Sequence, residues 1–269
     1  MVKTTARTLL MIAIAWAAAS PYAAAAECIK SVRWWHDPPY SYQAPDGSIA
    51  GLSVELTRAL LERLGCTPMF VEMPWARGLI ELEAGRLDIL PGALMTDERA
   101  AFAYFSRPTN LSPNVLFMSK RARERFAVQR LADIVGTDFR LGAQIKVNYG
   151  PEYAELLPTP GFGARLTFLT DRRGAWRMLE ANRLDGLIAD QISGLLELKD
   201  LGLSETIVPT EVIVSDRPAH IALSKRSVDP VFFERFNKAL EAMARDGSLR
   251  TIAQRNLPCK VRPTGIGCR

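Results

Sequence analysis

One short phrase occurs twice in this chain. Glu83-Ala84-Gly85-Arg86-Leu87-Asp88-Ile89-Leu90 returns as Glu180-Ala181-Asn182-Arg183-Leu184-Asp185-Gly186-Leu187. Gly85 and Asn182 hold the same place in it. Gly and Asn are the residues that most easily adopt the left-handed backbone closing a helix. An apolar-periodic stretch precedes each (75–82 and 175–179), and a short apolar strand follows each. The chain is therefore expected to build one helix, cap and strand turn in two places, as two similar α/β lobes with a ligand between them.

The remaining pattern agrees. Strands are expected at 29–35, 69–73, 88–90, 102–105 and 115–118, then at 139–145, 166–169, 184–189 and 220–224. Amphipathic helices are expected between them, at 52–64, 75–84, 171–181, 191–198 and 231–244. Such alternation predicts lobes with mainly parallel sheets. The chain is expected to cross between lobes near Lys120 and near Val212. That puts residues 27–119 and 215–269 in the first lobe and 120–214 in the second, with two crossings acting as a hinge.

Residues 1–26 read as an export signal. Lys3 and Arg7 are basic, 9–19 is apolar and uncharged, and Ala24-Ala25-Ala26 offers a cleavage site before Glu27. The apolar run is too short to span a bilayer comfortably. Four cysteines in an exported chain favour disulfides. Cys28 and Cys66 each precede an expected strand, and such strand starts are often neighbours. This favours Cys28–Cys66 with Cys259–Cys268 over the other two connectivities. His36 and His220 are far apart in unlike settings, so no metal site is expected. No P-loop or Ser/His/Asp arrangement is present, and no cofactor is expected. The net charge of +5 is mild, and the basic run at 120–125 carries no interleaved aromatics, which argues against a nucleic-acid partner.

Several motifs then occur in a telling order: Pro38-Pro39-Tyr40, Gly51-Leu52-Ser53-Val54-Glu55-Leu56, Trp75, Ala84-Gly85-Arg86-Leu87-Asp88, Met95-Thr96-Asp97-Glu98-Arg99 and Phe105-Ser106-Arg107-Pro108. Together they resemble the family 3 extracellular solute-binding proteins, the periplasmic receptors of polar amino-acid ABC importers. The resemblance implies a type II periplasmic-binding-protein fold that closes on its ligand. It also implies a periplasmic monomer that delivers an amino acid or related carboxylate to an inner-membrane ABC permease.

The resemblance makes Arg99 the grip on a ligand α-carboxylate, a task suited to a planar fork of donors. Gly92 and Leu94, in the loop before it, would offer backbone groups. Asp190 follows the apolar strand 187–189 at its carboxyl end, where α/β sheets place ligand groups. In amino-acid-binding relatives an acid here accepts the α-amino group. The same carboxylate is also suited to cap the next helix. Trp75 matches a position set against the ligand side chain, Asp37 and Tyr40 lie where relatives carry an acid and an aromatic platform, and Asn148 lies near the expected mouth. Lys146, in a loop where relatives have small residues, would add a cation to that mouth, and Arg77 could push the same way toward an anionic ligand. Two other functions share the fold: a cyclohexadienyl-dehydratase-like enzyme, with Glu55, Asp37, His36 and Asp190 as acid or base candidates, and a sensory or accessory binding protein.

Overall fold

The structure, a computed structural model, describes residues 27–268; the expected export signal lies outside the described residues. The chain opens with β1 (Cys28–Trp34), the hairpin strands β2 (Tyr42–Gln43) and β3 (Ile49–Ala50), α1 (Leu52–Arg63), β4 (Cys66–Glu72), α2 (Trp75–Ala84), β5 (Ile89–Ala93), α3 (Asp97–Phe102) and β6 (Ala103–Phe105). It continues through β7 (Asn114–Ser119), α4 (Lys120–Arg125), a 3₁₀ turn (Leu131–Ile134), β8 (Leu141–Gln144), α5 (Pro151–Leu156), α6 (Pro160–Gly163), β9 (Leu166–Leu169), α7 (Arg172–Glu180), β10 (Gly186–Asp190), α8 (Gln191–Asp200) and β11 (Ile207–Ser215). It returns with β12 (His220–Ser224), α9 (Pro230–Arg245) and α10 (Ser248–Asn256).

These strands form two five-stranded sheets, β4-β1-β5-β12-β6 and β9-β8-β10-β7-β11. Position by position the two have the same plan. In each, one strand (β1 or β8) pairs in parallel with two neighbours. In each, one strand (β12 or β7) runs against both of its neighbours. The sheets are thus mixed rather than mainly parallel, for a physical reason. β7 and β12 are the strands that follow a passage between sheets. A strand entering from the seam runs away from it, while its neighbours run toward it.

β7 pairs in the second sheet, so the crossings lie at 106–113 and 216–219 rather than near Lys120 and Val212. The two crossings are themselves joined as a short antiparallel bridge. Thr109 N–H donates to Ala219 O at 2.9 Å, and Ala219 N–H donates to Asn110 O at 2.9 Å. The basic run forms the short helix α4, capped by Ser119 Oγ, within the second lobe.

The repeated phrase does the same work twice. Gly85 ends α2 at φ 77°, and Asn182 follows α7 at φ 54°, both left-handed. The aspartate of each copy then ties its turn to the neighbouring strand. Asp88 accepts from Ser31 N (2.8 Å) and Oγ (2.9 Å), and Asp185 accepts from Arg140 N, Nε and Nη2, each at 2.8 Å. The turns therefore fix β5 and β10 at the centre of each sheet, and with them whatever their carboxyl ends carry.

Each sheet buries its own apolar clusters. Leu60, Phe236 and Met243 meet under α1 and α9 in the first lobe, and Phe139, Trp176 and Leu179 are buried in the second. Burying one such side chain contributes about 1.5–3 kcal/mol. Cys28 and Cys66 face each other across the β1–β4 pair and are bonded; Cys259 and Cys268 close the tail. No helix among the described residues is long and apolar enough to cross a membrane.

The Cys28–Cys66 bond closes a loop with a sequence separation of 38. Chain entropy for such a loop corresponds to about 4 kcal/mol. The double variant Cys28→Ser/Cys66→Ser should therefore remain folded but melt on the order of 10 °C lower in calorimetry. An unchanged melting temperature would show that this edge of the first sheet does not limit stability.

Candidate functional site

A cavity of about 290 Å³ lies between the carboxyl ends of β1, β5, β8 and β10, lined from both lobes. That size is near the lower end of small-molecule sites, roughly 300–1,000 Å³, and suits a small metabolite rather than a peptide. Asp37, Tyr40, Trp75, Gly92, Leu94 and Arg99 line it from the first lobe, and Asn148 and Asp190 from the second. The structure thus brings together eight of the nine candidate positions. The ninth, Lys146, adjoins them through its main chain.

Arg99 is placed by local geometry at the start of α3. Thr96 caps the helix by accepting from Arg99 N at 3.3 Å, which directs the side chain back toward β5. Arg99 is only 7 % exposed. Its Nη1 donates to Leu94 O at 3.0 Å and its Nη2 to Lys146 O at 2.9 Å. Trp75 Nε1 donates to the same Lys146 carbonyl at 3.1 Å, and the Arg99 guanidinium lies 5.6 Å from the Trp75 ring. Lys146 reaches this position through a left-handed backbone, φ 62°, unusual for a side-chain-bearing residue. Its contribution is a carbonyl, not the cation expected from the sequence. Arg77 does not act as a cleft cation either: it is exposed and pairs with Glu81 along α2. Burial pulls the Arg99 pKa down, yet an arginine keeps its charge, so the guanidinium remains a donor with capacity to spare.

Asp190 ends β10 and caps α8, with Oδ1 accepting from Ser193 N at 2.9 Å. The capping and cleft-facing roles coexist in one carboxylate. Tyr40 donates its hydroxyl to Asp190 across the lobes at 3.1 Å, a bond that fixes its ring in the cavity wall. Burial raises the Asp190 pKa above the ordinary carboxylate range, outweighing the bond from Ser193. Burial and the Asp190 charge together push the Tyr40 phenol well up, so it stays protonated. A ligand cation beside Asp190 would remove the penalty its burial imposes. Ser112 and Asn110 also line the cavity and stand beside the Tyr40–Asp190 pair.

A third inter-lobe contact centres on Arg172, which sequence reasoning missed. Arg172 Nη2 donates to Asp37 at 2.6 Å, and Nε and Nη2 donate to Glu197, each at 2.7 Å. Glu197 is 1 % exposed and also accepts from Trp176 Nε1 at 2.6 Å. Ser193 Oγ donates to Asp37 at 2.6 Å. Desolvation pushes the Asp37 carboxyl up, but the Arg172 guanidinium, helped by Ser193, holds it net below the usual range. Asp37 is therefore a lobe-to-lobe tie. The sequence carried a signal for this: Arg172 and Arg173 open a helix, where the dipole favours acids. Arg33, in the buried strand β1, also lines the cavity and also went unnoticed. Glu55 lies elsewhere, paired with Arg255 on the α1–α10 surface at 2.9 Å. His220 contacts Ser106 O beside the first crossing, while His36 lines the cavity with an exposed ring. No three His, Cys, Asp or Glu side chains among the described residues are grouped to hold a metal.

Comparison with known proteins places this geometry. The bacterial extracellular solute-binding proteins, family 3, match over residues 35–258. The L-cystine-binding protein TcyJ of Escherichia coli K12 is 25 % identical over 219 residues, covering 81 % of this chain and 78 % of that protein. The L-arginine-binding protein of Pseudomonas aeruginosa is 25 % identical over 220 residues, covering 80 % and 82 %. Among solved structures, an ancestral arginine-binding protein bound to arginine is similar with a TM-score of 0.73 and 21 % identity, over 85 % of this chain and 97 % of that one. A histidine kinase sensor domain with similarity to periplasmic binding proteins has a TM-score of 0.72 and 23 % identity, over 87 % and 96 %. At these identities the structural likeness is one of fold.

The raised Asp190 pKa has a sign that can be measured. Its ionised form opposes folding above the folded-state pKa, and the cost vanishes below the unfolded value of about 3.9. Asp190→Asn, which can keep the helix cap, should raise the melting temperature of the ligand-free protein at pH 7. The gain should shrink as pH is lowered toward 3. A lower melting temperature at pH 7 would mean that the carboxylate is already well compensated.

Proposed function

The chain belongs to the bacterial extracellular solute-binding proteins of family 3, and on that footing we propose that it is a receptor for a small polar carboxylate, an amino acid or a close relative. In this reading it acts in the periplasm after removal of residues 1–26, works as a monomer, and hands its ligand to an ABC permease in the inner membrane. The observation that carries the reading is the pair of opposite charges facing one cavity from opposite lobes. Arg99 stands in the first lobe and Asp190 in the second, and both line the space between. A zwitterion would satisfy both at once.

The hinge supports this. The lobes, taken as 27–105 with 220–268 and 114–215, follow the two sheets and are joined through the paired crossings. A ligand that touches both lobes binds the closed arrangement better than the open one, and that difference drives closure. A receptor also fits the acids of the cleft better than an enzyme does. Asp37 is held by Arg172 and Ser193, and Asp190 by Ser193 N and the Tyr40 hydroxyl. Both are set as fixed acceptors, which a binding role uses as they stand.

Thermal-shift screening of residues 27–269 against amino acids and small carboxylates should give a stabilising hit, because bound ligand raises the melting temperature by mass action. Arg99→Ala should weaken that hit by about 100-fold or more, the scale of losing charge-assisted bonds to a carboxylate. Far-UV circular dichroism would confirm that the variant is folded. Undiminished affinity in the folded variant would remove Arg99 from the ligand site. Recovery of the hit in altered form would favour an enzyme.

A further inference from the structure

We propose that the ligand carries two carboxylates, and that Arg33 holds the one that Arg99 does not. This rests on the receptor reading and narrows its ligand class.

The charge pattern of the cavity leads there. Arg172 is matched by Asp37 and Glu197, and Arg173 by Asp200. Arg33 and Arg99 line the cavity and make no ion pair among the described residues. Arg217, at the second crossing, also lines it but is exposed, so solvent screens its charge. Asp171 is occupied in capping α7, and Glu72 is exposed. The cleft therefore offers more uncompensated guanidinium than carboxylate. A neutral zwitterion would answer one of these cations and leave the rest.

Arg33 is held ready for this task. Its Nε donates to Met73 O at 3.1 Å, and its terminal nitrogens donate to no protein group among the described residues. Asp37 is near enough to favour its charge, but the Asp37 carboxylate is bonded to Arg172 and Ser193 instead. Burial pulls the Arg33 pKa down to about 10, as expected for a guanidinium short of a counter-charge. The stem lies over Gly78, inside α2. A Cβ at that glycine would come within 2.9 Å of Arg33 Cδ and 3.3 Å of Nε. Glycine inside a helix costs about 1 kcal/mol relative to alanine, and here its missing side chain is what lets the arginine through.

Arg33 and Arg99 share one neighbour. Their guanidinium carbons lie 5.4 Å and 5.6 Å from the centroid of the Trp75 ring. A four- or five-carbon diacid can bridge two groups so arranged. An acidic α-amino acid does more. Its α-carboxylate meets Arg99, its ammonium group meets Asp190, and its distal carboxylate meets Arg33.

The test is calorimetric titration of the wild type and Arg33→Gln with L-glutamate, L-aspartate, glutarate and succinate, against L-glutamine, L-asparagine, L-arginine and L-cystine. Wild type should bind at least one of the four diacids about 30-fold or more tighter than the neutral amides, as a charge-assisted pair demands. Arg33→Gln should bring that ratio to within about threefold, and Arg33→Lys should restore part of it. A merely structural role for Arg33 would weaken all ligands alike and leave the ratio intact, which overturns the proposal. Preference for an amide, L-arginine or L-cystine overturns it too, while the receptor reading stands. Failure of all eight compounds to bind overturns it as well, and the wider thermal-shift screen then decides the receptor reading.

Discussion

A guanidinium taken out of water must find oxygen acceptors, and this requirement organises the middle of the molecule. Arg99 is nearly buried and finds one carbonyl from each lobe, Leu94 O and Lys146 O. The contact that holds the lobes together and the group suited to grip a ligand are thus the same side chain. Arg172 follows the same rule beside it, with one carboxylate from each lobe. The seam is polar because arginines there need partners. It is closed because those partners come from both sides.

The fold makes such a seam possible by aiming strand ends at it. In each sheet the parallel strands deliver their carboxyl ends to the cleft, and the strand that follows a crossing leaves it. Side chains at the ends of β1, β5 and β10 therefore converge without any long loop. The aspartates of the repeated phrase hold the central strands in register with their neighbours, so a motif with no direct part in binding sets where Asp190 stands. The paired crossings leave one narrow connection about which the lobes can turn.

Much of this was legible in the sequence because it rests on local signals. The helix-closing Gly85 and Asn182, the Thr96 cap before Arg99 and the strand ending at Asp190 each follow from short-range chemistry. The disulfide pairing followed from strand starts that were expected to be neighbours. What stayed hidden depends on long-range register. Nothing near residue 115 says that β7 joins the second sheet, because its apolar run suits either. Arg172 and Glu197 are 25 residues apart within the second lobe, and Arg172 and Asp37 are 135 apart across the lobes, so their meeting is set by tertiary packing. Lys146 was misjudged because a sequence displays side chains, whereas this residue works through its backbone.

That last feature has an evolutionary side. The carbonyl of residue 146 reaches Arg99 and Trp75 because of a left-handed turn, and any residue able to hold that turn would present the same oxygen. Glycine or asparagine would do so with less steric cost than lysine. Selection on the cleft is therefore blind to the letter at this position and sensitive to its dihedral angles. Drift there can recolour the outer surface, including its charge, while leaving the guest chemistry untouched.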